Sequence, residues 1–172
     1  GPQTWMAVEV LRALQRAGAQ VRVVLSGDTA TFVPALTFQA LTGGEVRMAT
    51  DLYGATSGGQ FHSLTAGVQG VDAFVVVPAT PALLAKAAAG WADEALVRTL
   101  LLYQGPTIFA YSAKARPYQH ALVQRNVQQL RNAGIILCDA GVAEQADAVD
   151  ELDWSLASAP IVQAVADSLQ ET

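Results

Sequence analysis

The sequence has a single cysteine, two histidines and no long apolar run, and each shortage excludes a class of protein. One cysteine permits no intrachain disulfide, so nothing favours an oxidising compartment. No apolar stretch approaches the roughly 20 residues of a membrane-spanning helix, and no secretory signal is evident. No spacing of His, Cys, Asp and Glu suggests a metal site. We therefore expect a cytoplasmic protein with no membrane partner and no metal.

Positive charge is also scarce. Ten Lys and Arg residues stand against 15 Asp and Glu, a net charge of −5, which argues against nucleic acid or an anionic membrane as a partner. GxGxxG and Walker A motifs are absent, which excludes the standard dinucleotide and P-loop sites. Apolar residues, in contrast, make up 52% of the 172 residues. This composition favours a parallel sheet covered on both faces, or a homo-oligomer.

Residues 71–93 predict a buried strand that leads directly into a helix. Residues 73–77 are apolar on both faces and rich in Val, as in a central strand of a parallel sheet. Pro78 ends the strand because it has no backbone N–H, and Thr80 can cap a helix whose first residue is Pro81. Ligands bind where strand ends meet helix N-termini, since free N–H groups lie there. The segment therefore predicts a binding site as well as a fold.

Strands and helices alternate along the rest of the chain. Strands are predicted over residues 21–25, 46–49, 107–110 and 135–138, and helices over residues 6–15, 37–41, 93–102, 117–132 and 161–169. A polar loop is expected at 51–59, a helix start near 61 and an acidic, irregular segment at 140–154. The alternation predicts an α/β fold with a doubly wound parallel sheet in one domain, residues 1–172, that ends in an acidic segment and helix at 142–172. Because the chain starts within a helix, the first strand is expected upstream or is missing.

Four segments, in matching order and spacing, resemble the flavin-containing cysteine decarboxylases, the family of phosphopantothenoylcysteine decarboxylase and the lantibiotic peptidyl-cysteine decarboxylases. They are VRVVLSGDTATFVPALTFQALTG at 21–43, SGGQFHSL at 57–64, the PAT segment and helix at 78–93, and residues 124–134. The resemblance covers about residues 5–141. It implies a three-layer Rossmann-like, flavodoxin-like fold, FMN as cofactor, and a homotrimer or dodecamer of trimers with flavin at a subunit interface. It further implies a small-molecule or peptide substrate bearing a cysteine carboxylate.

The same resemblance assigns site residues. The family's catalytic histidine corresponds to His62, which can take a proton from a thiol. The asparagine that holds the substrate carboxylate is replaced by Lys114, whose ammonium can hold a carboxylate or phosphate by charge. The implied cofactor-binding residues are Ser26, Thr29, Phe32, Pro78, Ala79, Thr80, Ala82 and Ser112.

Simpler interpretations stand beside these roles. Ser26 and Thr80 are equally explained as helix caps, Phe32 as a core aromatic, and Lys114 as a solvated lysine. His62 can be a structural capping histidine, and His120 is expected as a surface residue on a polar helix face. Cys138 is expected as a buried strand-end residue rather than a nucleophile. The tryptophans are expected in the core or at subunit contacts, and they are Trp5, Trp91 and Trp154.

Departures from the family pattern leave several functions open. Ala82 replaces the asparagine of the PASANT motif, and the cysteine of the family's substrate flap has no counterpart in the residues after 141. The leading interpretation is an FMN-dependent decarboxylase of coenzyme A biosynthesis or peptide modification. A second is a flavin-binding or regulatory protein without that activity. A third is a relative of the prenyl-flavin synthases, which share a segment like Leu96-Val97-Arg98.

Overall fold

The computed structural model describes residues 4–26, 33–44, 46–48, 68–140 and 154–171. Within them lie the helices α1 (Thr4–Arg16), α2 (Ala35–Thr42), α3 (Pro81–Ala89), α4 (Ala95–Leu102), α5 (Arg116–Gln119), α6 (Ala121–Asn132) and α7 (Trp154–Gln170). The strands are β1 (Val24–Leu25), β2 (Arg47–Met48), β3 (Phe74–Val76), β4 (Thr107–Tyr111) and β5 (Ile136–Asp139). Every strand pairing is parallel: β1 pairs with β2, and the second sheet has the order β3–β4–β5.

Helices cover both faces of the β3–β4–β5 sheet. Every residue of β4 is buried, and its side chains alternate between the two faces. Ile108 and Ala110 lie in a core with residues of α1 and α7, whereas Phe109 and Tyr111 lie in a core with residues of α3, α4 and α6. This three-layer arrangement confirms the predicted α/β fold and explains the apolar composition, since a strand buried on both faces needs apolar residues throughout.

A third core joins the smaller sheet to helix α1. Val8 and Leu11 of α1 pack with Leu25 of β1 and Phe38 of α2. The side chain of Gln15 adds a hydrogen bond of 2.8 Å from its Nε2 to a backbone carbonyl of α2. Helix α1 therefore contacts both the larger sheet and the β1–β2 pair.

Helix α3 has the ends that its sequence predicts. Thr80 is the N-cap, its Oγ1 accepts a hydrogen bond of 3.2 Å from the backbone N–H of Leu83, and Pro81 is the first helical residue. Gly90 ends the helix with a φ of 63°, a left-handed conformation that costs glycine little because it has no Cβ.

The helix predicted from residue 117 is in fact two helices, α5 and α6. They are separated at His120, whose backbone is extended and whose Nδ1 accepts a hydrogen bond of 3.2 Å from the N–H of Leu122. His120 is therefore the N-cap of α6, so its expected place on a helix face was wrong, while its expected position at the surface is confirmed. Helix α7 begins at Trp154, well before the predicted start at 161, and contains Pro160.

Two other element predictions were only partly right. The strand predicted at 21–25 is limited to Val24 and Leu25, because only these residues pair with β2. The predicted features at 51–61 and most of the acidic segment before Trp154 lie outside the described residues. None of the helices in the described ranges is long and apolar enough to cross a membrane.

Candidate functional site

Two loops at the carboxyl edge of the larger sheet contain most of the predicted site residues that the structure describes. The post-β3 loop is residues 78–80, and the post-β4 turn is residues 112–115. They follow neighbouring parallel strands, so residues that are far apart in sequence lie at one sheet edge. The N–H of Ala79 donates to the carbonyl of Ala110 at 2.7 Å, which joins the post-β3 loop to the end of β4.

Ser112 is the least satisfied polar residue at this edge. It is 1% exposed, and its Oγ has no hydrogen-bond partner in the described part of the chain. A buried hydroxyl without a partner costs about 1–3 kcal/mol, and native proteins leave few such groups. Ser112 therefore fits a site in which a bound molecule supplies the missing hydrogen bond.

In the post-β3 loop, Ala79 is fully buried and Thr80 is exposed. The capping interpretation of Thr80 is confirmed by its bond with Leu83. That bond uses a lone pair of Oγ1, so the hydroxyl proton stays available for a ligand. The Ala79 carbonyl accepts a hydrogen bond of 3.0 Å from the hydroxyl of Tyr118.

Backbone hydrogen bonds fix the post-β4 turn. The N–H of Ala113 donates to Oδ1 of Asp139 at 3.1 Å, and the N–H of Ala115 donates to the carbonyl of Ser112 at 3.0 Å. The carbonyl of Lys114 accepts from the side chain of Gln119 at 2.9 Å. The Lys114 side chain is exposed and forms no ion pair with the described residues. The turn thus holds a cation that has no ion pair among the described residues, beside the buried Ser112.

The remaining predicted residues lie elsewhere. Ala82 is exposed in the first turn of α3. Ser26 is half-buried and directly follows β1, so it lies at the carboxyl end of a strand of the smaller sheet. The others lie outside the described residues, and they are His62, Thr29 and Phe32.

Cys138 is buried in β5, on the sheet face that packs against α1 and α7. Burial raises the pKa of its thiol, and the neighbouring Asp139 adds to the rise. A raised pKa leaves little thiolate at neutral pH, and the thiolate is the reactive form. The expectation that Cys138 is a buried residue at a strand end is confirmed.

Sequence reasoning missed two residues that shape this edge, Tyr118 and Asp139. Both act on backbone groups of the loops through side chains that are distant in sequence. One signal was present: Asp139 is the polar residue that ends an otherwise apolar strand. Tyr118 gave no such signal, because an aromatic residue within a predicted helix is usually part of the core.

A surface groove of about 740 Å³ lies between α3 and α6. Its lining residues are Ala82, Ala85, Lys86, Ala89, Trp91, Asp93, Arg125, Asn126 and Gln129. Trp91 is 65% exposed and Trp5 is 54% exposed, so neither is in the core. Lys86 bridges Glu94 at 2.7 Å and Asp93 at 3.1 Å; its hydrogen bonds to Glu94 and then Asp93 raise its pKa.

Comparison with known proteins identifies the protein family to which this chain belongs. The model of the Flavoprotein family matches residues 3–172. The coenzyme A biosynthesis bifunctional protein CoaBC of Mycolicibacterium smegmatis is 36% identical over 141 residues, which cover 81% of this chain and 32% of that protein. The chain therefore spans about a third of the length of this relative.

Solved structures agree with this family. The FMN-dependent cysteine decarboxylase SpaF has 27% identity and a TM-score of 0.67, with 92% of this chain and 89% of that chain covered. MrsD from a Bacillus species has 21% identity and a TM-score of 0.75, over 98% and 91% of the two chains. A dodecameric FMN-dependent UbiX-like decarboxylase from Escherichia coli O157:H7 has 18% identity and a TM-score of 0.64, over 99% and 89%. The last two likenesses establish a shared Rossmann-like fold.

Proposed function

The chain belongs to the Flavoprotein family, and from that membership we propose that it binds FMN and oxidatively decarboxylates a cysteine carboxyl group. The proposed site is the carboxyl edge of the β3–β4–β5 sheet. The observation that carries the proposal is Ser112, a buried hydroxyl beside the exposed Lys114; in the part of the chain that the structure describes, the first has no hydrogen-bond partner and the second no ion pair. SpaF, a relative with 27% identity, is an FMN-dependent cysteine decarboxylase.

The residues at this edge fit a flavin nucleotide. FMN carries many polar atoms, and one of them would provide the hydrogen-bond partner that Ser112 lacks among the described residues. The N-terminus of α3 adds backbone N–H groups that suit anions and carbonyl oxygens, and Pro78, Ala79 and Thr80 lead into it. Once bound, FMN would supply the capacity to accept a hydride from the substrate.

Outside this edge, four further residues are proposed to complete the cofactor site. Ser26 and Thr29 follow β1 and would provide hydroxyls for the phosphate or ribityl chain. Phe32 would pack near the isoalloxazine ring. Ala82 is exposed at the start of α3, and its methyl group would contact the cofactor without a hydrogen bond.

Two residues are proposed to act on the substrate. His62 would take the proton of the cysteine thiol as it is oxidised. The Lys114 ammonium would hold the carboxylate until CO₂ leaves, because an exposed cation with no ion pair among the described residues can bind an anion without first breaking another contact. A coenzyme A precursor and the C-terminal cysteine of a peptide both carry the required thiol and carboxylate.

We further propose assembly into a homotrimer or a dodecamer of trimers in the cytoplasm. Trp91 is largely exposed at the end of the α3–α6 groove, and exposed tryptophans are enriched in protein interfaces. The similar UbiX-like decarboxylase is dodecameric. Size-exclusion chromatography with light scattering tests this point, and a monomer would contradict it.

A visible absorption spectrum of the purified protein, followed by mass spectrometry of the chromophore, tests the cofactor. We expect a yellow protein that carries FMN; a colourless protein that takes up no added FMN would refute the proposal.

Activity is tested by CO₂ release from peptides and small molecules that end in cysteine, with His62→Asn as the inactive variant. If FMN is bound but no such substrate releases CO₂, the non-catalytic interpretation is favoured, because Ala82 and Lys114 replace two asparagines of the family pattern. Prenylation of the bound flavin would favour the prenyl-flavin synthase interpretation.

A further inference from the structure

Tyr118 connects the two loops of the proposed site. Its hydroxyl donates a hydrogen bond of 3.0 Å to the carbonyl oxygen of Ala79 in the post-β3 loop. Its backbone N–H donates to the carbonyl of Ala115 in the post-β4 turn at 2.9 Å. Tyr118 is 3% exposed and Ala79 is fully buried, so water cannot readily replace the hydroxyl. Tyr118 therefore links two loops that follow different strands, the post-β3 loop through its side chain and the post-β4 turn through its backbone.

Neighbouring groups hold the Tyr118 ring in place. The ring packs against Tyr111 of β4, with their centroids 5.7 Å apart. The carbonyl of Tyr118 accepts a hydrogen bond of 2.6 Å from the side chain of Gln124 in α6. Burial also raises the pKa of the Tyr118 hydroxyl, which keeps it protonated as a donor. The Tyr118 hydroxyl is thus held in one position, and its hydrogen bond to Ala79 restrains the post-β3 loop.

We propose that Tyr118 is a positioning residue that sets the spacing between the post-β3 loop and Ser112 for cofactor binding. This inference rests on the proposed FMN site. Without the hydroxyl, the buried carbonyl of Ala79 loses its donor and the loop must shift to find another. A shift of the loop moves the Thr80 hydroxyl and the first N–H groups of α3 relative to Ser112. FMN then loses contacts that a preorganised site offers without rearrangement.

Tyr111 provides a matched control that separates the proposed positioning role of Tyr118 from a purely structural one. Both tyrosines belong to the same core, and both are buried. The Tyr111 hydroxyl is contacted at 3.4 Å by the guanidinium of Arg131, on a helix rather than on either loop. Tyr118→Phe and Tyr111→Phe therefore remove the same atom from the same core, but only the first removes a bond to the proposed site.

The test measures the Kd for FMN by quenching of flavin fluorescence, the visible circular dichroism of bound flavin, and the urea unfolding curve of each variant. We expect Tyr118→Phe to raise the Kd about tenfold and to change the dichroism. Tyr111→Phe should change the Kd less than about twofold, whatever its effect on unfolding. Equal FMN affinity in wild type and Tyr118→Phe, or equal losses in both variants, would overturn the proposal.

A second measurement needs no bound flavin. Hydrogen–deuterium exchange of the flavin-free protein, followed by mass spectrometry of peptides covering residues 78–84, reports on the loop itself. Faster exchange in Tyr118→Phe but not in Tyr111→Phe supports the positioning role, and unchanged exchange refutes it. If the wild type binds no FMN, the proposed function fails, while the exchange comparison still decides whether Tyr118 holds the loop.

Discussion

The carboxylate of Asp139, at the end of β5, accepts a hydrogen bond of 3.1 Å from the backbone N–H of Ala113, just beyond β4. The bond joins the ends of neighbouring strands and orients the turn that contains Ser112 and Lys114. Because the donor is a backbone N–H of the turn, the contact restrains the turn directly.

Replacement of Asp139 should therefore loosen the post-β4 turn. Asp139→Ala removes the acceptor, and we expect a loss of about 1 kcal/mol in the free energy of unfolding, since the pair is partly exposed. Asp139→Asn keeps an acceptor oxygen without the charge and should lose less than half as much. Urea unfolding of the two variants checks the order, and an equal loss in both would mean that the acceptor oxygen is not what matters.

Ser112→Ala should have opposite effects on folding and on binding. In the flavin-free protein the substitution removes a buried hydroxyl that has no partner within the described ranges, so the free energy of unfolding should rise by about 1 kcal/mol or stay unchanged. If the hydroxyl bonds FMN, the Kd for FMN should rise roughly fivefold to tenfold. Urea unfolding and fluorescence quenching measure the two effects. A destabilised protein with unchanged FMN affinity would contradict the role of Ser112.

Local signals predicted most elements of this fold, whereas contacts between segments that are distant in sequence could not be inferred from them. A strand closed by Pro78, a Thr80 cap and Pro81 at the first helical position all depend on neighbouring residues, so these features could be inferred. The bond from Tyr118 to Ala79 spans 39 residues and that from Ala113 to Asp139 spans 26. Such pairs exist only once the strands have aligned.

The break between α5 and α6 shows a different limit. Histidine is not among the preferred N-cap residues, and the apolar residues Tyr118 and Leu122, four positions apart, continue a helical pattern across the break. Only the extended backbone and the Nδ1 acceptor of His120 reveal the cap. The family resemblance had in turn pointed to Ser112 and Lys114, but not to the burial of the first or to the exposure of the second.

Cys138 should react slowly with thiol reagents in the folded protein. Its burial and raised pKa keep the thiol protonated and covered. We expect labelling by Ellman's reagent at neutral pH to be roughly 100-fold slower than in urea. The single cysteine makes the measurement unambiguous, since each chain offers one thiol. Fast labelling of the native protein would instead indicate an accessible thiol near the proposed site.

The same raised pKa predicts how stability depends on pH. The folded state keeps a proton that the unfolded chain releases once the pH passes the ordinary thiol pKa, so the unfolded state binds fewer protons and the free energy of unfolding falls as pH rises. The contribution of the Cys138 thiol to the free energy of unfolding is complete below about pH 8.5, and it is lost as the pH rises through the pKa of the thiol in the folded state. Cys138→Ala should flatten the decline between about pH 8.5 and pH 10. An identical slope in wild type and variant would exclude Cys138 as its cause.

Lys114 is proposed to hold the substrate by its charge. A series of substitutions can separate the effect of this charge from the effects of side-chain size and shape. Lys114→Gln keeps a long polar side chain without the charge, and Lys114→Asn provides the amide that the resembled family has at this place. Because the interaction is charge-based and exposed, both variants should lower kcat/KM for a cysteine-ended substrate, by about tenfold at low salt. The deficit should shrink as salt is added, since salt already weakens the wild-type interaction.

Arg116→Gln, which removes another exposed cation next to the same turn, is the matched control and should change kcat/KM less than about twofold. Full activity in Lys114→Gln would place Lys114 among ordinary solvated lysines, whereas higher activity in Lys114→Asn would mean that the site needs the amide rather than the charge.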